Sequence, residues 1–283
     1  MLALRLPLLA AAILGCLLAH PLAAQRPTTW RCRHVLAPDG KTWLGDTVVT
    51  TLLDRIISVQ PAAPEQPVYR DFGDTWLIPG LIDLHTHLLL RPYDQKKWDD
   101  QVRFESNELR ALRGSAFALE TLRAGFVAIR DLGTEGADYA DVALRTALAE
   151  GPLLRGPRLF VATRAIVKTG CYGPDPEDPT TKKGAQTVEG IDAIRAAVRE
   201  QAEGGADWIK VYADYRHGNA GQVAPTFTLE ELQALCAEAG EAKLPVAAHA
   251  TTDEGIRRAV LAGVRTIEHG AGASAATLAL MRE

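Results

Sequence analysis

Short apolar runs alternate with longer amphipathic stretches along the chain after residue 79. The runs have the length and β-branched content of strands, and the stretches between them repeat apolar residues at helical spacing. Strands are predicted over 81–87, 126–132, 158–163, 208–213, 245–250 and 265–270, and helices over 100–124, 137–150, 188–204, 228–240, 253–262 and 274–283. Such alternation indicates parallel βαβ units, so the pattern predicts an α/β fold, either a barrel or an open doubly wound sheet.

The segment before residue 79 has a different pattern. Residues 30–77 consist of short, partly alternating runs separated by Gly, Asp and Pro turns. This pattern is typical of short β-strands. We therefore predict the N-terminal part of a small β-sandwich domain over residues 25–78, followed by the α/β domain over residues 79–283.

The first 24 residues resemble a secretory signal peptide. Arg5 precedes a long apolar run, and small residues at Ala23 and Ala24 provide a cleavage position. A lipoprotein processing site that makes Cys16 a lipid anchor is the second interpretation. The sequence therefore predicts export, to the periplasm or beyond the cell, with residues 1–24 removed.

Composition and charge narrow the class of protein. The 283 residues are 47% hydrophobic and 23% charged, with 31 basic and 35 acidic side chains, which is typical of a globular protein without a basic surface for nucleic acid. No stretch after the N-terminal run is long and apolar enough to span a bilayer. The three later cysteines, Cys32, Cys171 and Cys236, are odd in number and widely spaced, so we predict no disulfide.

Histidines lie at the carboxyl ends of three predicted strands. His85 and His87 share one face of the first strand because side chains alternate along a strand, and His249 and His269 end the fifth and sixth strands. Lys210 lies within the apolar fourth strand. Neutral imidazoles that meet at one mouth are good ligands for zinc or a similar metal. The Gly- and Pro-rich connection 164–187 follows a strand, so we interpret it as an active-site loop.

The order of these residues resembles the amidohydrolase superfamily. The motifs that carry the resemblance are IPGLIDLHTH, GFVAIRDLG, GADWIKVYADY, PVAAHA and TIEHG. They are most similar to the exported branch of imidazolonepropionase-like enzymes and Xaa-Pro dipeptidases, and the YADYR phrase resembles ochratoxin-type amidases. The resemblance implies a partial (β/α)8 TIM-like barrel of about six units in this chain.

The resemblance also implies a site with two divalent metal ions, expected to be zinc. His85 and His87 would hold one ion, His249 and His269 the other, and a carboxylated Lys210 would bridge them. The implied reaction is hydrolysis of the amide C–N bond of an N-acyl amino acid or dipeptide-like substrate by a metal-bridged hydroxide. The expected partner is thus a small-molecule amide, with no nucleic acid or membrane span, and homo-oligomerisation is left open.

Three further side chains are candidates around this site. Asp83 lies on the same strand face as the first two histidines and either orients one of them or caps local backbone. Tyr172 stands where dipeptidase relatives have a histidine that meets the substrate carboxylate, and Thr251 stands where they often have tyrosine. Tyr172 and Tyr212 are predicted to shape the substrate pocket, and Asp131 is predicted to be structural.

The family's catalytic aspartate, at the end of an eighth strand, has no counterpart up to Glu283. We therefore expect the chain to be part of a longer protein or a truncated gene product. Alternative functions are a cyclic amide or lactone hydrolase, a deaminase, and an inactive binding remnant. A deaminase of this superfamily usually works with one metal and no carboxylated lysine, so Lys210 argues against it.

Overall fold

The computed structural model describes residues 26–151 and 153–282. The expected signal peptide over residues 1–24 and the alternative lipid anchor at Cys16 lie outside the described residues. Within the described ranges, no helix has the length and apolar character needed to cross a bilayer. Contacts divide the chain into two compact units, Met1–Pro79 and Gly80–Glu283.

The described part of the N-terminal unit is built from short strands: β1 (Thr28–Cys32), β2 (His34–Leu36), β3 (Trp43–Leu44), β4 (Thr47–Leu52), β5 (Arg55–Pro61), β6 (Arg70–Asp71) and β7 (Trp76–Leu77). One sheet has the order β5-β4-β1-β6 and another the order β3-β2-β7. Cys32, Val35 and Val49 are buried together in a small core. The prediction of β-structure in this segment is confirmed.

The second unit alternates strands and helices in chain order. Its strands are β8 (Leu81–Thr86), β9 (Phe126–Asp131), β10 (Arg158–Val161), β11 (Ile166–Lys168), β12 (Gln186–Val188), β13 (Ile209–Tyr212), β14 (Asp214–Arg216), β15 (Val223–Pro225), β16 (Val246–Ala250) and β17 (Thr266–His269). Its helices are α1 (Trp98–Phe104), α2 (Asn107–Arg123), α3 (Ala140–Glu150), α4 (Gly190–Glu203), α5 (Leu229–Glu241), α6 (Asp253–Leu261) and α7 (Ala275–Leu280). All six predicted strands are present, and each predicted helical segment contains at least one helix.

Two parallel sheets run through this unit, in the orders β10-β9-β8 and β12-β11-β13-β16-β17. The backbone N–H groups of Asp207 and Trp208, just before β13, donate to the carbonyl of Val161 in β10 at 2.8 and 3.1 Å, which links the sheets. Helices connect most consecutive strands, as parallel pairing requires. The predicted mixed α/β fold with parallel strands is therefore confirmed.

The largest apolar core lies between the five-stranded sheet and helices α4, α5 and α6. Ile194, Leu232 and Ile256 come from these helices, and Ile209 and Val246 come from the sheet. Helix α5 begins with a capping box, because Thr228 Oγ1 accepts from the N–H of Glu231 while the Glu231 carboxylate accepts from the N–H of Thr228. These contacts fix the strands that carry Lys210 and His249.

The structure contains local elements that the hydrophobic pattern did not predict. The connection 164–187 includes β11 and the start of β12, and the segment after β13 forms the β14–β15 hairpin. The predicted helix 100–124 is divided in two, since Ser106 caps a new helix by accepting from the N–H of Leu109. Strands of three residues are too short to show alternation.

Helix α2 carries a fully buried arginine that fixes the loop after β9. The Arg110 guanidinium donates to the backbone carbonyls of Thr134 and Glu135, the latter at 2.6 Å, and its Nε donates to Leu89 at 3.4 Å. Glu135 has a positive φ of 52°, which is uncommon for a side chain other than glycine. The arginine therefore holds a loop in a backbone conformation that needs external support.

Replacing Arg110 with alanine should strongly destabilise the second unit. The change leaves the carbonyl oxygens of Thr134 and Glu135 without their donor, whereas the Leu89 carbonyl still accepts from another arginine of the same helix. Each unsatisfied buried group costs about 1–3 kcal/mol, so we expect the free energy of unfolding to fall by about 3 kcal/mol. Urea denaturation measures this loss. Arg123→Ala, at an exposed position in the last turn of the same helix, serves as control and should lower the free energy of unfolding by only about 0.5 kcal/mol. Equal losses in the two variants would contradict the role of Arg110.

Candidate metal centre

Four histidine rings form one cluster at the carboxyl ends of three strands. His85 lies in β8, His87 one residue beyond it, His249 in β16, and His269 at the end of β17. Ring centroids are 5.4 Å apart for His85 and His87, 5.1 Å for His85 and His269, and 4.6 Å for His249 and His269. The structure thus brings together the four histidines that the sequence pattern singled out.

Lys210 faces the same cluster from β13. Its side chain is buried, with 1% of its surface exposed, and its Nζ lies 5.5 Å from the centroid of the Tyr212 ring. Burial lowers the pKa of Lys210 to about 8, with a further contribution from Arg130, although the charges of Glu268 and Glu135 act in the opposite direction. A substantial fraction of this amine is therefore uncharged near pH 8, as carboxylation by carbon dioxide requires.

Two of the imidazoles are anchored through Nδ1. His87 Nδ1 is 2.9 Å from the carbonyl oxygen of Gly133, and His85 Nδ1 is 2.9 Å from Oε2 of Glu268. A carbonyl oxygen can only accept, so Nδ1 of His87 is the donor and its Nε2 carries the free lone pair. Burial lowers the pKa of His87, which keeps the ring neutral at neutral pH.

Like His87, the rings of His249 and His269 are held in the neutral form. Burial lowers the pKa of His249 to about 4, together with the charges of His269 and Lys210, and burial likewise lowers the pKa of His269. The His249 ring stacks on Tyr212 with centroids 4.6 Å apart. Neutral imidazole is the form that binds divalent metals, so the chemistry of this donor set fits zinc or a similar ion.

The described residues contain no group of three or more His, Cys, Asp or Glu side chains already arranged as a metal site. The histidine rings are in contact, but Nδ1 of His85 and Nδ1 of His87 point to Glu268 and Gly133. The four imidazoles are therefore close together, but in the described residues their nitrogen atoms are not arranged as a complete set of metal ligands.

An aromatic wall continues from the histidines toward the 164–187 connection. Tyr172 and Tyr212 are each 7% exposed, their ring centroids are 4.8 Å apart, and the Tyr212 hydroxyl donates to the Tyr172 hydroxyl at 3.2 Å. The Tyr172 hydroxyl donates in turn to Oε2 of Glu135 at 2.7 Å, and Trp98 Nε1 donates to the same oxygen at 3.0 Å. Burial and the Glu135 charge raise the pKa of both phenols.

The 164–187 connection is packed tightly against this wall at Gly184. A Cβ at this position would lie 2.6 Å from the ring of Trp98, 3.0 Å from Tyr172 and 3.1 Å from Glu135. Contacts below 3.0 Å are not tolerated without displacement of the neighbours. Only glycine therefore allows the loop to approach as closely as it does.

Two carboxylates, the half-buried Asp83 and the fully buried Asp131, hold the backbone that carries the histidines. Asp83 accepts from the N–H of His85 at 3.0 Å, and Asp131 accepts from the N–H groups of Leu88 and Gly133 at 2.9 and 3.1 Å. Asp83 thus contacts its own strand, and the carboxylate that reaches the ring of His85 belongs to another residue. Asp131 has the structural position expected for it.

Asp214 organises the turn after β16 in a similar way. Its fully buried carboxylate accepts from the N–H and hydroxyl of Thr252 at 2.6 and 2.7 Å, and from the N–H and hydroxyl of Thr251. Thr252 Oγ1 at the same time caps α6 by accepting from the N–H of Gly255. This carboxylate therefore connects the strand of His249 to the following helix.

Sequence reasoning did not identify Glu268, Arg130 or Glu135 as neighbours of the site. Glu268 directly precedes His269, and strand alternation would place the two side chains on opposite faces. The positive φ of 71° at His269 interrupts that alternation, so both side chains reach the cluster. The signal in the sequence is an acidic residue directly before the strand-end histidine.

Comparisons with known proteins agree with the residue pattern. The amidohydrolase family model matches residues 76–282. An uncharacterised protein of Mycobacterium tuberculosis is 27% identical over 237 residues, which are 82% of this chain and 54% of the relative. Ochratoxinase of Aspergillus niger is 28% identical over 235 residues, which are 73% of this chain and 46% of ochratoxinase.

The fold is also similar to a solved enzyme structure. A crystal structure of a prolidase complexed with N-methylphosphonate-L-proline superposes with a TM-score of 0.78 at 30% identity, covering 91% of this chain and 64% of the prolidase chain. The present chain spans about half the length of the curated relatives it matches. Because the family match extends over most of the second unit and includes every strand that carries the histidine cluster, this chain belongs to the amidohydrolase family.

Proposed function

We propose that the protein is a metal-dependent hydrolase of amide C–N bonds, with N-acyl amino acids or dipeptide-like molecules as substrates. The observation that carries this proposal is the cluster of four imidazoles around the buried Lys210. Family membership supports the hydrolytic reaction class. Ochratoxinase and the prolidase, both relatives by sequence or fold, support an amide substrate.

In this proposal two divalent ions, expected to be zinc, bind side by side. His85 and His87 would hold one ion, His249 and His269 would hold the other, and a carboxylated Lys210 would contribute the anionic ligand. Bound divalent ions of this kind polarise a carbonyl and lower the pKa of a nearby water. The chain's own contribution is that burial lowers the pKa of His87, His249 and His269, which keeps these rings neutral, and that burial also disfavours a charged ammonium at Lys210.

The aromatic wall supports a role in substrate binding for Tyr172 and Tyr212. Tyr212 stacks on His249, and Tyr172 continues the wall as far as Glu135. The Tyr172 hydroxyl already donates its hydrogen to the carboxylate of Glu135. Tyrosine side chains also carry no positive charge, so this wall does not offer a cation to a substrate carboxylate. We propose that it contacts the acyl part or the side chain of the substrate rather than a free terminal carboxylate.

Two further parts of the proposal concern the whole protein. The parallel order of β8, β9, β10, β13, β16 and β17 supports an incomplete (β/α)8 barrel of about six units, accompanied by part of a small β-sandwich. The apolar N-terminal run with Arg5 before it supports export.

A metal-reconstitution experiment tests the proposed function. The protein is stripped with a chelator, titrated with zinc by calorimetry, and assayed against N-acyl amino acids, dipeptides, cyclic amides and lactones. We expect zinc binding and amide hydrolysis that appears only with the metal. Hydrolysis of cyclic substrates alone would favour the alternative substrate class, and absence of zinc binding would refute the metal centre.

Removing the Tyr172 hydroxyl should change substrate binding more than turnover. Tyr172→Phe keeps the ring in the wall but removes the donor to Glu135, so the wall loses its fixed orientation while the imidazoles stay in place. We expect KM for the amide substrate to rise about three- to tenfold with kcat within about twofold, as for a lost binding contact. Steady-state kinetics measures this, and Tyr69→Phe in the N-terminal unit is the matched control. An unchanged KM would show that the Tyr172 hydroxyl does not contribute to substrate binding.

A further inference from the structure

A chain of buried polar contacts connects β9 to the ring of His85. Arg130 Nη2 donates to Oε1 of Glu268 at 2.8 Å, and Oε2 of Glu268 is 2.9 Å from Nδ1 of His85. Arg130 and Glu268 are 4% and 7% exposed. The carboxylate therefore lies between a guanidinium and an imidazole, largely out of contact with solvent.

The ion pair with Arg130 determines the direction of the hydrogen bond to His85. A carboxylate paired with a guanidinium is ionised and can only accept hydrogen bonds. Nδ1 of His85 must then carry a hydrogen, which in the neutral ring leaves the lone pair on Nε2. This is the same tautomer that the carbonyl of Gly133 selects for His87.

Arg130 is itself held in place on several sides. Its Nε donates to the backbone carbonyl of Leu84 at 2.6 Å, which is the residue before His85 in β8. Its guanidinium lies 4.3 Å from the ring centroid of Trp208. One arginine thus binds both the strand that carries His85 and the carboxylate that orients its ring.

Both oxygens of Glu268 are engaged by these partners. Oε1 accepts from Arg130 and from the hydroxyl of Thr266 at 2.7 Å, and Oε2 accepts from His85. Lys210 lies near enough for its charge to influence Glu268, but in the part of the chain that the structure describes no hydrogen bond joins the two. The hydrogen bonds of Glu268 are therefore made to Arg130, Thr266 and His85 rather than to the amine of Lys210.

We propose that Glu268 is a positioning residue that fixes the tautomer and ring orientation of His85, and that Arg130 holds Glu268 on the imidazole rather than on Lys210. The inference rests on the proposed metal centre for its purpose, because a ring fixed in this way presents Nε2 to an ion. Partners of this kind affect metal affinity although they do not touch the metal.

Glu268→Gln in the full-length chain tests the inference with two measurements. An amide can either accept from Nδ1–H or donate to Nδ1, so it no longer selects one tautomer. We expect zinc affinity of the metal-free protein to fall about tenfold to a hundredfold. In ¹⁵N NMR spectra of metal-free protein, we expect His85 to carry its hydrogen on Nδ1 in the parent chain and to show mixed tautomers in the variant.

Glu231→Gln is the matched control, because Glu231 is also a buried carboxylate with a cationic partner, Lys168, at 2.6 Å. It should leave zinc affinity within about twofold of the parent. Thr266→Val and Arg130→Lys loosen the same network while keeping the carboxylate, so they replace Glu268→Gln if that variant does not fold, and both should weaken zinc binding in the same direction.

Equal zinc affinities for Glu268→Gln and the parent, or equal losses in Glu268→Gln and Glu231→Gln, would overturn the inference. A hydrogen on Nε2 of His85 in the parent would also overturn it. If the parent binds no zinc, the proposed metal centre is wrong, whereas the NMR measurement still decides whether Glu268 fixes the tautomer of His85.

Discussion

Alanine at His87 should remove bound metal and amide hydrolysis together. The ring of His87 is neutral, and its Nδ1 is already committed to the carbonyl of Gly133, so Nε2 is its only free ligand atom. Loss of a direct ligand should cost more than the ~100-fold typical of residues that act through a ligand. Metal content by atomic absorption and kcat/KM with an amide substrate measure the two effects.

A matched histidine variant separates this effect from general damage. His34 contacts Asp74 and stacks on Trp76 within the N-terminal unit, so His34→Ala should keep both metal and activity. His85→Ala should behave like His87→Ala if the two histidines share an ion. Full activity in His87→Ala would eliminate the proposed two-metal site, and loss of metal with retained hydrolysis would separate the reaction from the metal.

Arginine at Lys210 should lower turnover by about three orders of magnitude. Guanidinium remains charged under all ordinary conditions and cannot form the carbamate that the proposed bridge requires. A polarising metal pair supplies several kcal/mol of transition-state stabilisation, and about 4 kcal/mol corresponds to a thousandfold in rate. Lys210 is only 1% exposed, so almost no solvent reaches this position to hydrate the permanent positive charge of a guanidinium. Single-turnover kinetics with zinc-loaded protein measures the effect.

A second substitution at the same position gives a positive result if the bridge is real. Lys210→Ala should be inactive, and short carboxylic acids or bicarbonate should restore part of the activity by occupying the space of the missing carbamate. Lys168→Arg is the control, because the ion pairs of Lys168 with Glu189 and Glu231 can equally be made by arginine. Near-normal turnover of Lys210→Arg would make Lys210 a packing residue.

Strand periodicity located the candidate ligands because it depends on local features of the chain. Apolar runs of six or seven residues predicted six of the strands of the second unit. Parallel pairing then predicts that residues at strand ends, such as His249 and His269, lie near each other. The contact of His85 with Glu268 could not be predicted in the same way. It depends on a backbone torsion at His269 and on a pairing of residues 183 positions apart.

The loop residues were beyond prediction for a related reason. Glu135 lies in a turn with a positive φ that is stabilised by Arg110 from a different helix, so nothing in its immediate sequence indicates that it is buried beside Tyr172. Short strands β11 and β12 form only because the connection packs on the sheet beside β13. Tertiary contacts, rather than propensity, decide such elements.

The hydrogen bonds of Asp214 limit where the molecule can move. A single carboxylate binds the N–H groups of Thr251 and Thr252, and Thr252 also begins helix α6, so opening this turn would break several bonds at once. Amide hydrogens in this turn should exchange with solvent only slowly, since opening is costly. His249 lies two residues before this turn and is therefore held firmly in place. For the proposed function, we expect any movement that admits a substrate to occur in other segments.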